Sequence, residues 1–199
     1  FKKNEQRPVF SKMLEDIRLK KAALTLMFFL SATSAYAQHQ HQPPSFAIDS
    51  VLQADAMPVD EAAKFGALVI QDQGGRMKPA NTFASELVRK VSKSDHYKSL
   101  NANQVLLSIT QNPIIWYQVP FVYLKRGNDS IRSLVGVGKK AKYASFANFF
   151  DAQGNYKLAP YLEAAYKSAT PNQFQKDFIE TDRKVNLLFS ALDGKVLRI

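Results

Sequence analysis

The residues Gln71-Asp72-Gln73-Gly74-Gly75-Arg76-Met77-Lys78-Pro79-Ala80-Asn81-Thr82 set two glycines and two cations just ahead of a helix-like run. A turn of this kind can offer successive backbone N–H groups to an anion, and nearby Arg and Lys add charge. Gly74, Gly75, Arg76, Lys78 and Asn81 are therefore candidate contacts for a phosphate, a propionate or a partner protein. The same spacing also describes a strand–turn–helix unit in which Arg76 and Lys78 pair with local acids. A nucleotide-binding P-loop needs G-x-x-x-x-G-K-[S/T], and a dinucleotide fold needs G-x-G-x-x-G after a strand. Neither occurs here.

Other catalytic chemistry has no visible carrier. The three histidines are His39, His41 and His96. His39 and His41 stand at i, i+2 in "QHQHQPPSF", where they could touch a metal or haem, but the composition reads as a solvated linker. His96 in "SKSDHYKS" reads as a loop residue. The acidic pairs Glu15-Asp16 and Asp60-Glu61 are adjacent in sequence, so their side chains point apart. The chain has no cysteine, which removes disulfides, thiolate metal sites and a C-x-x-C-H attachment site from it. No catalytic residue, metal ligand or cofactor ligand is expected within it. Aromatic side chains such as Trp116, Tyr117, Phe121, Phe149 and Phe150 are expected in the core.

The elements that must position the Gly-Arg-Lys turn follow from periodicity. Residues 58–66, "PVDEAAKFG", predict a short helix with acids in its first turn and Gly66 at its end. "ALVIQ", 67–71, predicts a strand. Asp72 to Gly75 predicts a turn, and Pro79 keeps Met77 and Lys78 extended. Asn81 or Thr82 is expected to cap a helix running to about Val91, with Phe83, Ala84, Leu87 and Val88 on its apolar face. Asn101 and Gln104 predict a capping box before "VLLSITQ", which Asn112-Pro113 breaks. The stretch from Val119 to Val137, around Gly127-Asn128-Asp129, predicts a β-hairpin. Residues 143–150 read as helical or extended, and "DAQGN" as a turn. Helices are expected from Pro160 to Lys167 and from Pro171 to about Leu192. The second carries a stripe of Ile179, Val185, Leu187, Leu188 and Leu192. The sum is a small α+β domain.

Forty-six percent of residues are hydrophobic, enough for a packed core. The formal charge is +10. Part of it lies in residues 1–21, a basic segment ahead of the uncharged "AALTLMFFLSATSAYA" at 22–37. Lys20 and Lys21 before that run, and Ala35-Tyr36-Ala37 at its end, predict a signal-anchor or transmembrane helix, or a signal cleaved after Ala37. The expected organisation is a cytoplasmic basic segment (1–21), this membrane segment (22–37), a linker (38–57) and an extracytoplasmic α+β domain (58–199). Lys139-Lys140-Ala141-Lys142 is the densest basic cluster beyond it and reads as a solvated turn. A basic domain beside an anionic membrane surface also fits. No Lys/Arg run there resembles a nucleic-acid arm, so no nucleic-acid partner is expected. A chain that begins with Phe1 and ends at Ile199 amid "KVLRI" reads as an internal fragment of a longer protein.

Three ordered segments carry a resemblance. They are "VIQDQGGRMKPANTFASELVRKV", "FFDAQGNYKLAPYLEAAYKS" and "FQKDFIETDRKVNLLFSALDGKVLRI". The last holds Lys176-Asp177 and then Asp182-Arg183-Lys184-Val185-Asn186. Together they resemble bacterial cytochrome c biogenesis proteins of the Ccs/ResB–ResC type, in their fused form. The resemblance implies a protein of the cytoplasmic membrane that moves haem outward and joins it to apocytochrome c, with this chain as an accessory periplasmic domain. It implies apocytochrome c, the membrane and the protein's other membrane segments as partners. It also implies haem as a cofactor of the full-length protein, ligated outside this chain. The alternative is a secreted periplasmic binding protein.

Overall fold

The computed structural model describes residues 45–72 and 74–194, all within the unit Pro43–Ile199. The expected segments 1–21 and 22–37, with His39 and His41, lie outside the described residues. Among those described, no helix is long and apolar enough to cross a membrane.

The expected linker is corrected over residues 45–54, which form helix α1 (Ser45–Ala54). Ile48 and Leu52, four residues apart, are buried on one face of it. Asp49 accepts a 2.7 Å hydrogen bond from the Tyr97 hydroxyl and pairs with Lys98 at 3.1 Å. The helix belongs to the domain because it contributes both apolar area and a polar tie.

Helix α2 (Val59–Gly66) forms as the acids at its start predict. Gly66 ends it for a reason that periodicity does not reveal. A Cβ there would stand 2.4 Å from the Asn103 amide nitrogen, so any larger residue would displace the Asn103 side chain from this position. Strand β1 (Val69–Gln71) then folds back through the turn onto β2 (Met77–Pro79), with Ile70 opposite Lys78. The expected strand–turn–helix unit is thus a β-hairpin that feeds a helix.

That helix, α3 (Ala80–Ser92), starts one residue before the expected cap. Pro79, in an extended conformation, is the N-cap and provides no side-chain bond. The hairpin does the work instead, because the Ala80 N–H donates to the Leu68 carbonyl at 2.8 Å. Phe83, Ala84, Leu87 and Val88 are buried as the pattern predicts, joined by Val91.

A short ladder of β3 (His96–Tyr97) and β4 (Leu100–Asn101) precedes α4 (Ala102–Gln111). The expected Asn101–Gln104 capping box is present in both directions. Asn112 ends α4, and the single turn α5 (Pro113–Trp116) follows. Trp116 is fully buried, with its indole N–H donating 2.9 Å to the Ser108 hydroxyl. Its ring meets Tyr97 and Phe121 with centroids 5.3 and 5.2 Å away.

The expected hairpin from Val119 to Val137 is not formed. Strand β5 (Pro120–Tyr123) pairs instead with β6 (Tyr143–Ser145), and helix α6 (Asp129–Val135) lies between them in sequence. Ile131 and Val135 are buried at i, i+4, a helical spacing. Gly127-Asn128-Asp129 is the approach to a helix, and Gly136 closes it with φ 74°.

Arg132, only 4% exposed, decides that arrangement. Its guanidinium donates to the carbonyls of Leu124 (3.1 Å), Lys125 (2.9 Å), Asn128 (3.3 Å) and Ala141 (3.0 Å). One side chain thereby holds both loops that join α6 to the strands.

A 3₁₀ turn (Phe146–Phe149) continues from β6, so 143–150 is both extended and helical. The Asp151 carboxylate organises the "DAQGN" turn by accepting from the Gln153 and Asn155 backbone N–H groups. Helix α7 (Ala159–Lys167) and the long helix α8 (Gln173–Leu192) complete the fold. α8 begins two residues after Pro171, at an Asn172–Gln175 capping box. Its buried stripe is rotated from the expected one. Val185, Leu188 and Leu192 are buried, but Ile179 and Leu187 are only partly so, and Phe178 and Ala191 fill the face.

Replacing Arg132 by Met keeps the volume and leaves those carbonyls without a donor. The R132M variant should lose about 3 kcal/mol or more of stability. A urea midpoint shift at unchanged slope would read it. A loss under about 1 kcal/mol would mean the loops are held by something else.

Candidate functional site

The hairpin turn holds an anion already, and it is the chain's own. Asp72 sits at the base of the turn. Its Oδ1 accepts from the Arg76 backbone N–H at 2.9 Å, and its Oδ2 meets the Lys78 ammonium at 3.0 Å. The Gly75 N–H donates to the Asp72 carbonyl, and the Asp72 N–H donates to Arg76. Gly75 adopts φ 81°, which a glycine takes without strain. Lys78 reaches a second acid, Glu86 on α3, at 3.1 Å. Asp72 and then Glu86 push the Lys78 ammonium up from its ordinary value. The local-pairing alternative thus describes Lys78.

The other predicted contacts separate. Arg76 is exposed, and among the described residues no acid pairs with it. Asn81 lies in the first turn of α3, where its Oδ1 accepts from the Thr82 hydroxyl at 3.2 Å. It borders an open depression shared with Ser85, Arg89, Asp95, His96 and Asn101. The structure therefore unites Gly74, Gly75, Arg76 and Lys78 around Asp72, and gives Asn81 different company.

A second cleft, of about 450 Å³, lies beneath His96, Tyr97, Lys98, Phe121 and Tyr143. Burial and Asp49 push the Tyr97 hydroxyl well above its ordinary value, so it stays protonated. His96 is exposed, and its Nδ1 is 2.6 Å from the Asp95 carboxylate. It lies on strand β3 rather than in a loop. This cleft can bind, but it carries no nucleophile activated by a base.

Sequence reasoning missed the charged interior of α8. Asp177, Asp182 and Lys184 are each about 5% exposed. Asp177 accepts from Lys125 at 3.0 Å and from Gln173 at 2.7 Å. Asp182 accepts from the Tyr166 hydroxyl at 2.8 Å and from Asn186 at 3.1 Å. Lys184 donates to the Tyr123 carbonyl at 3.1 Å, pairs with Glu180 at 3.0 Å and lies over the Tyr123 ring. Burial lowers the Lys184 pKa, and Glu180 opposes the shift. The signal was available: Asp177, Thr181, Lys184 and Leu188 recur at helical spacing with apolar residues on the same arc. Asp177, Thr181, Asp182 and Lys184 belong to the "KDFIETDRKVN" segment, and all four do structural work.

Among the described residues, no group of three or more His, Asp or Glu side chains gathers as a metal site. His96, exposed and engaged by Asp95, does not form the buried, axially ligating pocket that a haem iron needs.

No family model matches the chain. It is 28% identical over 191 residues to Protein NrfI of Wolinella succinogenes, an alignment that covers 92% of this chain and 20% of that protein. The chain thus spans about one-fifth of the length of the curated relative it matches.

The Asp72 turn makes a pH prediction. The Arg76 N–H first, and then Lys78, hold the Asp72 carboxyl below its ordinary value of 3.8. The stability it contributes is therefore complete above that value and is lost as pH falls through the lower folded value. The Arg76 amide NMR resonance should titrate with a midpoint below 3.8, and the D72N variant should abolish the titration. A midpoint at or above 3.8 would contradict the turn geometry.

Proposed function

We propose that this chain is an accessory extracytoplasmic domain of a bacterial cytochrome c maturation protein. The full-length protein resides in the cytoplasmic membrane, with residues 38–199 on the periplasmic side. It exports haem and joins it to apocytochrome c. The colinear likeness to Protein NrfI, over 92% of this chain, carries the reading. The three ordered segments that resemble the Ccs/ResB–ResC type support its finer form.

Within that protein the domain acts as a scaffold. Asp177, Asp182 and Lys184 of its "KDFIETDRKVN" segment face inward and are occupied by Lys125, Tyr166, Glu180 and the Tyr123 carbonyl. They hold α8 in place. Haem is ligated elsewhere in the full-length protein. Arg76, exposed at the hairpin tip, touches apocytochrome c, with Asn81 on the helix that follows.

The reading is tested in the native host. Deleting the gene should abolish covalent haem in c-type cytochromes, seen by haem-dependent peroxidase staining, and the wild-type gene should restore it. A gene carrying both Arg76→Ala and Asn81→Ala should restore about tenfold less at equal protein level, the scale of a contact hot spot. Lys78→Ala is unsuitable here, because it breaks the pairs to Asp72 and Glu86. Normal holocytochrome in the deletion strain would sink the proposal. A full rescue by the double variant would remove only the assigned contacts.

A further inference from the structure

The domain gives most of its lysines an acidic neighbour. Lys64, Lys78, Lys90, Lys93, Lys98, Lys125, Lys167 and Lys184 each stand within 4 Å of a carboxylate. Four cations that break this pattern lie together. Arg126, Lys139, Lys140 and Lys142 have no acidic partner among the described residues, and all four line one cleft of about 350 Å³. Its walls are the two loops flanking α6, namely 126–129 and 138–142.

The cleft is built and not merely a patch of surface lysines. Buried Arg132 also lines it and fixes both walls through its four carbonyl contacts. Those acceptors are neutral, so they engage four of its five N–H groups without cancelling its charge. The one carboxylate lining the cleft, Asp129, is 3.8 Å from Arg132 and is itself exposed. Asn128, between the lining residues Gly127 and Asp129, is buried with both carboxamide atoms unpartnered. Five cations against one carboxylate make a positive local potential.

We propose that this cleft is an anion site that binds a phosphate group. Arg132 serves as its fixed floor, and Arg126, Lys139, Lys140 and Lys142 serve as mobile donors around it. The cavity accommodates one phosphate or a phosphodiester headgroup, and a guanidinium suits the oxygen geometry of either. Phosphate binding at this cleft needs no haem chemistry and does not depend on a role in cytochrome c maturation. The phosphate can come from an anionic lipid headgroup or from a soluble phosphorylated ligand.

The test uses the full 199-residue chain in nonionic detergent, with amide NMR reporting on Gly127, Gly138 and Ala141. The probes are inorganic phosphate, dihexanoyl-phosphatidylglycerol and its phosphatidylcholine counterpart. Saturable shifts confined to the cleft are expected, weakening as salt screens the charges. The variant carrying both K140Q and K142Q should bind about tenfold more weakly. The variant carrying both K64Q and K167Q, with the same change in charge at distant exposed positions, should bind as the wild type does. Preference for phosphatidylglycerol over both other probes identifies a lipid headgroup as the source, and preference for inorganic phosphate identifies a soluble ligand. Shifts that never saturate, or equal weakening in the two double variants, would overturn the site and leave only diffuse surface charge.

Discussion

Three consecutive carbonyls leave the end of β5 without a strand to donate to them, and buried cations donate to all three. Lys184 of α8 donates to Tyr123, and Arg132 of α6 donates to Leu124 and Lys125. The next element of the ladder is secured by the Leu124 N–H, which donates to the Lys142 carbonyl. A backbone carbonyl in a largely buried setting must find a donor, and a strand end in a two-stranded sheet has few on offer. The fold supplies them from two helices at once, so the positions of α6, α8 and β6 all depend on this one short segment. Lys125 itself returns the tie by donating to Asp177 on α8. The cost of burying Lys184 is visible in its lowered pKa. It is offset by Glu180, the Tyr123 carbonyl and the Tyr123 ring.

The same economy governs the glycine turn. A Gly-Gly-Arg-x-Lys sequence looks like a receptor for an external anion when only its donors are counted. Asp72 stands in the right place to fill that role from within the chain, and it engages the Arg76 amide and Lys78 together. The hairpin then hands over to α3 with its first helical N–H already bonded to Leu68. The turn is therefore a folding device first, and what it shows to a partner is the Arg76 side chain.

What the sequence made legible was local. The Asn101–Gln104 capping box, the Phe83–Leu87–Val88 face and the Asp151 turn depend on residues within four or five positions of one another, and each is where its pattern puts it. What it hid was long-range. The stretch from Val119 to Val137 has the turn residues of a hairpin, yet β5 finds its partner some twenty residues away at Tyr143–Ser145. Nothing in the strand itself identifies that partner. The deciding group was Arg132, which reads as a solvent-facing residue until its carbonyl partners are known. The linker expectation failed similarly at Ser45–Ala54, because the polar flanks masked Ile48 and Leu52. Of the candidate site, the hairpin residues were legible as a group. Asn81 was grouped with them by sequence proximity, but a helix start turns a neighbour in sequence toward another depression.

The buried and the exposed charges of this domain separate by role. Asp177, Asp182, Lys184 and Arg132 are consumed by packing, so changing them alters the fold before it alters any partner. The residues free to recognise something are those the fold leaves without a counter-charge. Arg76 at the hairpin tip is one such residue, and the rim of the α6 cleft holds four more. Arg132 links the two classes, since the same guanidinium that closes the loops also sets the shape and charge of the cleft above them. A cation held by neutral carbonyls is the arrangement that serves both ends. A carboxylate as close and as buried as those carbonyls would reduce the potential that makes the cleft a place for an anion, and Asp129, 3.8 Å away and exposed to solvent, does so only weakly.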